Sequence, residues 1–207
     1  MEQNIILIDD RPERRKKILG EELNRQLEDS QVIHIPDLLS SKQYFEKLNS
    51  KDISVFNSYK TIMIHKSPLN RDGLSVITDY CAHKNISLVF FSGSLSQIIY
   101  KNDFSEVLSL NSSDLYTTNL INYLEHHESS NILELAYGKK YEFHLFINYR
   151  NIVNSIIKDD QVEESKLHLE DLHKIIFNET IDTMEALDYK GYSKMIQEKI
   201  DFKSKTL

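Results

Sequence analysis

At 207 residues with 40% hydrophobic content, the chain is long enough for one large domain, or for one standard domain with a small appendage. Its 32 acidic against 25 basic residues leave a formal charge of −7, which argues against a sequence-independent grip on nucleic acid. A single cysteine excludes an internal disulfide and a multi-cysteine zinc site, and no apolar run approaches the ~18 residues of a membrane span. With no signal peptide in view either, the expectation is a cytoplasmic protein without membrane or nucleic-acid partners.

The first strong element is Ile5-Ile6-Leu7-Ile8, an unbroken apolar run of the kind buried on both faces inside a parallel sheet. It ends in two adjacent carboxylates, Asp9 and Asp10, at the strand end where open α/β sheets hold their ligands. Pro12 then opens a helix to residue 27 whose stripe is Ile18, Leu19, Leu23 and Leu27. Its basic run, Arg11, Arg14, Arg15, Lys16 and Lys17, reads as a solvated helix face. A short strand over 31–35 precedes a helix capped by Ser40 or Ser41 and carrying Tyr44, Phe45 and Leu48. The third strand is 61–64, followed by a turn-rich loop over 67–73 and a helix with Leu74, Val76, Ile77 and Tyr80 inward. Cys81, beside Tyr80 and Ala82, reads as a packing residue. The fourth strand, 86–91, should be the most deeply buried, and Ser92-Gly93-Ser94 should lead into a short helix. A fifth strand spans 106–110, and Ser112 or Ser113 caps a helix with Leu115, Leu120, Ile121 and Leu124 on one side. His126 and His127 close that helix as a favourable C-terminal charge. Five such β-α units predict a five-stranded parallel sheet in flavodoxin-like order.

From about residue 129 strand signals stop, so the expected division is an α/β domain over 1–127 and a helical region over 128–207. Leu145, Phe146, Tyr149, Ile152, Val153, Ile156 and Ile157 mark one long helix, and Leu169 to Leu187 a second. A helical hairpin of this kind leaves apolar surface over, and a symmetric homodimer is the economical way to cover it.

Residues 3–126 resemble a response-regulator receiver domain. The resemblance implies that Asp9 and Asp10 match the acidic pair that binds Mg²⁺ and that Ser92, followed by Gly93, matches the switch hydroxyl. Counting back from Asp72-Gly73 places His65 where the phosphorylated aspartate belongs. After the fifth strand the family's lysine is replaced by Leu110, Asn111 and Ser112, with Asn111 at the equivalent position. A carboxylate nucleophile attacks phosphorus as an anion held beside a metal, and an imidazole adds no charge to such a site. The chain therefore reads as a pseudo-receiver with no catalysis of its own. Asp9 and Asp10 are then either a residual Mg²⁺ site or solvated acids paired with Lys66 or Arg11. A transition-metal site from Asp9, Asp10 and His65 is a further alternative. Beyond the receiver, His144 to Asn151 resembles the His-x-x-x-Asn box of histidine-kinase dimerisation hairpins, which would make His144 a phosphoacceptor. Three readings follow: a scaffold that binds protein partners, a phosphorelay component using His144, and a metal-dependent hydrolase or nuclease using Asp9 and Asp10.

Overall fold

In a computed structural model, the chain divides into two units, Met1–Gly138 and Lys139–Leu207. The structure describes residues 3–56, 58–102 and 104–157, and beyond these Lys194, Gln197, Glu198 and Asp201. The first unit is α/β, built on a six-stranded sheet of order β2-β1-β3-β4-β6-β5. Its strands are β1 (Ile5–Ile8), β2 (Ile33–His34), β3 (Thr61–His65), β4 (Ser87–Phe91), β5 (Ile99–Asn102) and β6 (Glu106–Leu110). All neighbours are parallel except β5 with β6. The five parallel strands are compatible with the flavodoxin-like order. The added antiparallel edge strand was not expected.

That strand takes the place of the helix expected after Ser94. The short apolar stripe of Leu95, Ile98 and Ile99 stays only half-buried there. Ile99-Tyr100-Lys101-Asn102 instead alternates, with Tyr100 buried and Lys101 exposed, and the Tyr100 hydroxyl donates to Glu106 Oε1 at 3.0 Å. The hairpin turns beside Phe104, which is 85% exposed.

Helices α1 (Pro12–Asp29), α2 (Leu38–Asn49) and α3 (Arg71–Lys84) make the crossovers. Residues α4 (Ser112–Leu115), α5 (Thr118–Glu125) and α6 (Glu134–Tyr137) follow the sheet, and α7 (Tyr141–Ile157) belongs to the second unit. One face of the sheet presents Ile6, Ile8, Ile62, Ile64, Leu88 and Phe90 to Phe45, Leu48, Ile77, Tyr80 and Cys81. Residues between them, Ile5, Leu7, Met63, Val89 and Phe91, are equally buried, as period-two alternation under helices on both faces requires. β1 and β3 are buried throughout, whereas β4 begins at the half-buried Ser87, so the fourth strand is not the most deeply buried. Cys81 packs in this core, and burial pushes its thiol pKa up to about 12.

Several helix starts differ from expectation for one reason: a side chain able to accept from the third amide sits a few residues upstream of the serines. Asp37, not Ser40 or Ser41, caps α2 by accepting from Ser40 N at 2.7 Å. Asn70 caps α3 through Gly73 N, so Asp72-Gly73 lies in the first turn of a helix rather than in a loop. Asn111 caps α4, and Thr117 restarts the chain as α5, splitting in two what the sequence presents as one helix. Of the expected helical hairpin, α7 is seen, with Leu145 and Phe146 buried; the later helices lie outside the described residues.

Within α1, Gly20 has φ 78° and ψ 166°, a conformation open to glycine alone. The break changes the helix's phase. Arg15 and Leu19 are buried before it and Asn24 and Leu27 after it, while Ile18 is exposed and Leu23 only half-buried. Gly20→Ala should therefore destabilise the protein by about 1–3 kcal/mol, although alanine favours helix more than glycine does. A urea denaturation midpoint unchanged or raised by the substitution would contradict this.

Candidate functional site

The carboxyl ends of β1, β3, β4 and β6 lie at one edge of the sheet, and each ends in a polar residue. β1 delivers Asp9 and Asp10, β3 ends at His65, β4 leads into Ser92, and β6 into Asn111 and Ser112. Asp9, Asp10 and His65 come together, each offering one atom within 4.8 Å of the others.

Asp9 is only 3% exposed, so it is no solvated acid. Its Oδ1 accepts from the backbone N–H of Arg11 at 2.9 Å, and its Oδ2 accepts from the Tyr116 hydroxyl at 2.6 Å. Tyr116 is itself buried, and its phenol pKa rises well above the ordinary value, through desolvation first and the Asp9 charge second. Asp10 is more open. Its Oδ2 lies 3.7 Å from Arg11 Nε, and its Oδ1 accepts a hydrogen bond from His65 Nδ1. Arg11 is thus the partner the sequence offered; Lys66 joins none of the ion pairs among the described residues.

The other ring nitrogen of His65 fixes the proton. Nε2 lies 3.1 Å from Nη2 of Arg14, and a guanidinium only donates, so Nε2 accepts and the proton sits on Nδ1, toward Asp10. His65 is 1% exposed and its ring stacks on Phe91 at 5.4 Å. Arg14 Nη2 also donates to Ser112 Oγ at 3.3 Å, and its Nη1 lies against Gly93, where an added Cβ would stand 3.3 Å away. Arg14 Nε is buried with no hydrogen-bond partner among the described residues. The result is a chain of carboxylate, imidazole, guanidinium and hydroxyl drawn from β1, β3, α1 and α4.

Arg14 and Arg15 correct the reading of the basic run. Arg15 is 5% exposed and reaches Asn24 at 3.2 Å and Glu28 at 3.1 Å. For Arg15 the signal was present, because it lies four residues before Leu19 and continues the inner face of α1 backwards; Arg14 lies four before the exposed Ile18 and carried none. Tyr116 carried no comparable signal; its role depends on a pairing across 107 residues.

Ser92 is buried, and its Oγ meets those of Ser67 at 2.9 Å and Ser94 at 3.0 Å. The Asn111 amide donates to Leu95 O at 2.8 Å and Gly93 O at 3.3 Å, tying the end of β6 to the connection after β4. His144 belongs to the second unit, exposed on α7 with its ring edge-on to Phe143.

This donor set does not fit Mg²⁺. That ion requires oxygen ligands in octahedral array, whereas the third member here is an imidazole. The free lone pair of that imidazole faces a guanidinium, which also sets a fixed positive charge against any cation. No protein family, curated protein or solved structure matches the chain. No described helix is long and apolar enough to cross a membrane.

The buried phenol sets an alkaline limit. Its pKa is raised in the fold, so the folded state holds the proton after the unfolded chain has released it. The stability this contributes is complete below the ordinary value of 10.0 and declines as pH rises above it, by up to about 1.4 kcal/mol per pH unit for one group. Tyr116→Phe leaves a buried carboxylate oxygen without its donor and should cost about 1–3 kcal/mol at neutral pH. Urea unfolding of both proteins from pH 7 to 11 measures the two effects; equal stabilities at pH 7 would refute the second.

Proposed function

We propose that the protein is a non-catalytic signalling or scaffold protein. In this reading its receiver-like α/β unit binds partner proteins independently of aspartate phosphorylation, and its helical region pairs two copies. The observation that carries the proposal is the internal neutralisation of the acids at the head of β1. Each oxygen of Asp9 has its donor, Asp10 is met by His65 and Arg11, and Arg14 closes the chain through His65 and Ser112. A receiver that switches by phosphorylation needs a carboxylate nucleophile, a bound cation and a mobile hydroxyl. Here the matching position at the end of β3 carries an imidazole engaged on both nitrogens, and the hydroxyl of Ser92 is engaged by two other serines.

Reaction at this edge would have to begin by breaking the Asp10–His65–Arg14 chain, whose buried members would then be left unpaired at about 1–3 kcal/mol for each group. The resting arrangement is therefore the stable one, and partner binding reads a surface rather than a chemical state. A phosphorelay role for His144 is the second reading, supported by the exposure of that side chain on α7.

Incubating the full chain with acetyl phosphate and Mg²⁺, and separately with a histidine-kinase mixture, tests both by intact mass. The scaffold reading expects no added phosphoryl group. Stoichiometric addition that disappears in His144→Gln would replace it with the relay. Light scattering on the same sample should give twice the 24.3 kDa chain mass at micromolar concentration, and a monomer would remove the pairing.

A further inference from the structure

A second site lies at the opposite margin of the sheet from the hairpin, where β2 is the edge strand. Here a cavity of about 240 Å³ opens between His34 of β2, Ser40, Gln43, Tyr44 and Lys47 of α2, and Val55. None of these residues takes part in the Asp9–Asp10–His65 group.

One wall is rigid. His34 Nδ1 is hydrogen-bonded to the Tyr59 hydroxyl at 2.5 Å, and the two rings stack with centroids 6.0 Å apart at 26°. Tyr59 is hydrogen-bonded in turn to Tyr44, and Tyr44 packs on Phe56 at 5.5 Å. Phe56 is fully buried in the core, so the rail of His34, Tyr59, Tyr44 and Phe56 is anchored at its inner end. With Nδ1 engaged, Nε2 is the polar atom that the His34 ring has left for a ligand. A histidine oriented in this way through its other nitrogen is how proteins preset an imidazole for binding.

The facing wall is a file of polar side chains. Ser40, Gln43, Tyr44 and Lys47 recur at three- and four-residue steps, so they share one face of α2. Lys47 joins none of the ion pairs among the described residues, and Asp52, on whose carboxylate its charge acts, already accepts from both Ser54 N and Ser54 Oγ. Gln43 makes no side-chain hydrogen bond among the described residues, whereas the Ser40 hydroxyl is already hydrogen-bonded to the Asp37 carboxylate. Val55 and the Tyr44 ring supply the apolar surface.

The geometry points to a binding site for a small organic carboxylate, with its charge on Lys47, Gln43 and His34 Nε2 and its flat apolar body against Tyr44 and Val55. The volume is below the roughly 300–1,000 Å³ of pockets for drug-sized ligands, which limits the ligand to a single ring or a short chain. An ammonium and an amide on one face match an anionic oxygen better than they match a neutral amide of the same shape.

The probe is benzoate, with benzamide as its uncharged isostere, titrated into the full chain and followed by the ring resonances of His34. Expected is a saturable shift with benzoate at millimolar concentration and none with benzamide. Lys47→Met should weaken the benzoate midpoint at least tenfold, while Lys84→Met, at the far end of α3, should leave it unchanged. Both lysines are exposed, so neither variant threatens folding. A shift that never saturates, an equal response to benzamide, or an unchanged midpoint in Lys47→Met would each overturn the site. The outcome is independent of phosphorylation at the other strand ends.

Discussion

Two adjacent carboxylates at the end of a buried strand are the constraint to which the rest of this edge answers. Removing an ionised carboxylate from water is expensive unless hydrogen bonds and opposite charge replace the lost hydration. Asp9, at 3% exposure, has the full problem, and Asp10 has part of it. The fold answers with a backbone amide from the start of α1, a phenol from beyond α4, an imidazole from β3 and a guanidinium one turn into α1. These groups come from three parts of the chain, the start of α1, the end of β3 and the residue after α4, so the acids hold together elements that the hydrophobic sheet alone would only place nearby.

That arrangement also separates this edge from a site that switches by binding a cation and a phosphoryl group. In such a site the positive charge arrives with the ligand, so the empty and occupied states differ strongly in electrostatic energy. Here Arg14 is a permanent resident, and the histidine between it and Asp10 is held in one tautomer. The serine trio of Ser67, Ser92 and Ser94 and the double contact of Asn111 to the β4–β5 connection give the neighbouring strand ends the same fixed character. Connected polar networks of this kind make a surface rigid rather than reactive.

Much of this fold could be read from runs and punctuation. Ile5–Ile8, Thr61–His65 and Ser87–Phe91 are near-continuous apolar stretches between turn residues, and only a doubly covered sheet buries such runs. The coming together of Asp9, Asp10 and His65 follows from the ends of adjacent parallel strands in register. Two things were less legible. Arg14 and Arg15 sit in a charge run whose composition says solvent; the spacing of Arg15 to Leu19 says interior, while Arg14 is drawn in by His65 and Ser112, which no spacing announces. The antiparallel β5 was hidden because four residues with one buried side chain carry almost no periodic signal; their pairing with β6 is a tertiary fact.

The hairpin changes the cost of assembling the sheet. Ile99 pairs with Ser109 ten residues along the chain, whereas Ile5 pairs with Thr61 fifty-six residues along it. Closing the longer loop costs about 1.5 kcal/mol more in chain entropy, before any contact repays it. The parallel ladder thus carries the slow, nonlocal part of the search, while β5 and β6 form a template available on the microsecond scale. By exchanging a helix for a strand at its margin, the chain gains a local nucleus next to β4, onto which the remote strands have a ready-made border to dock.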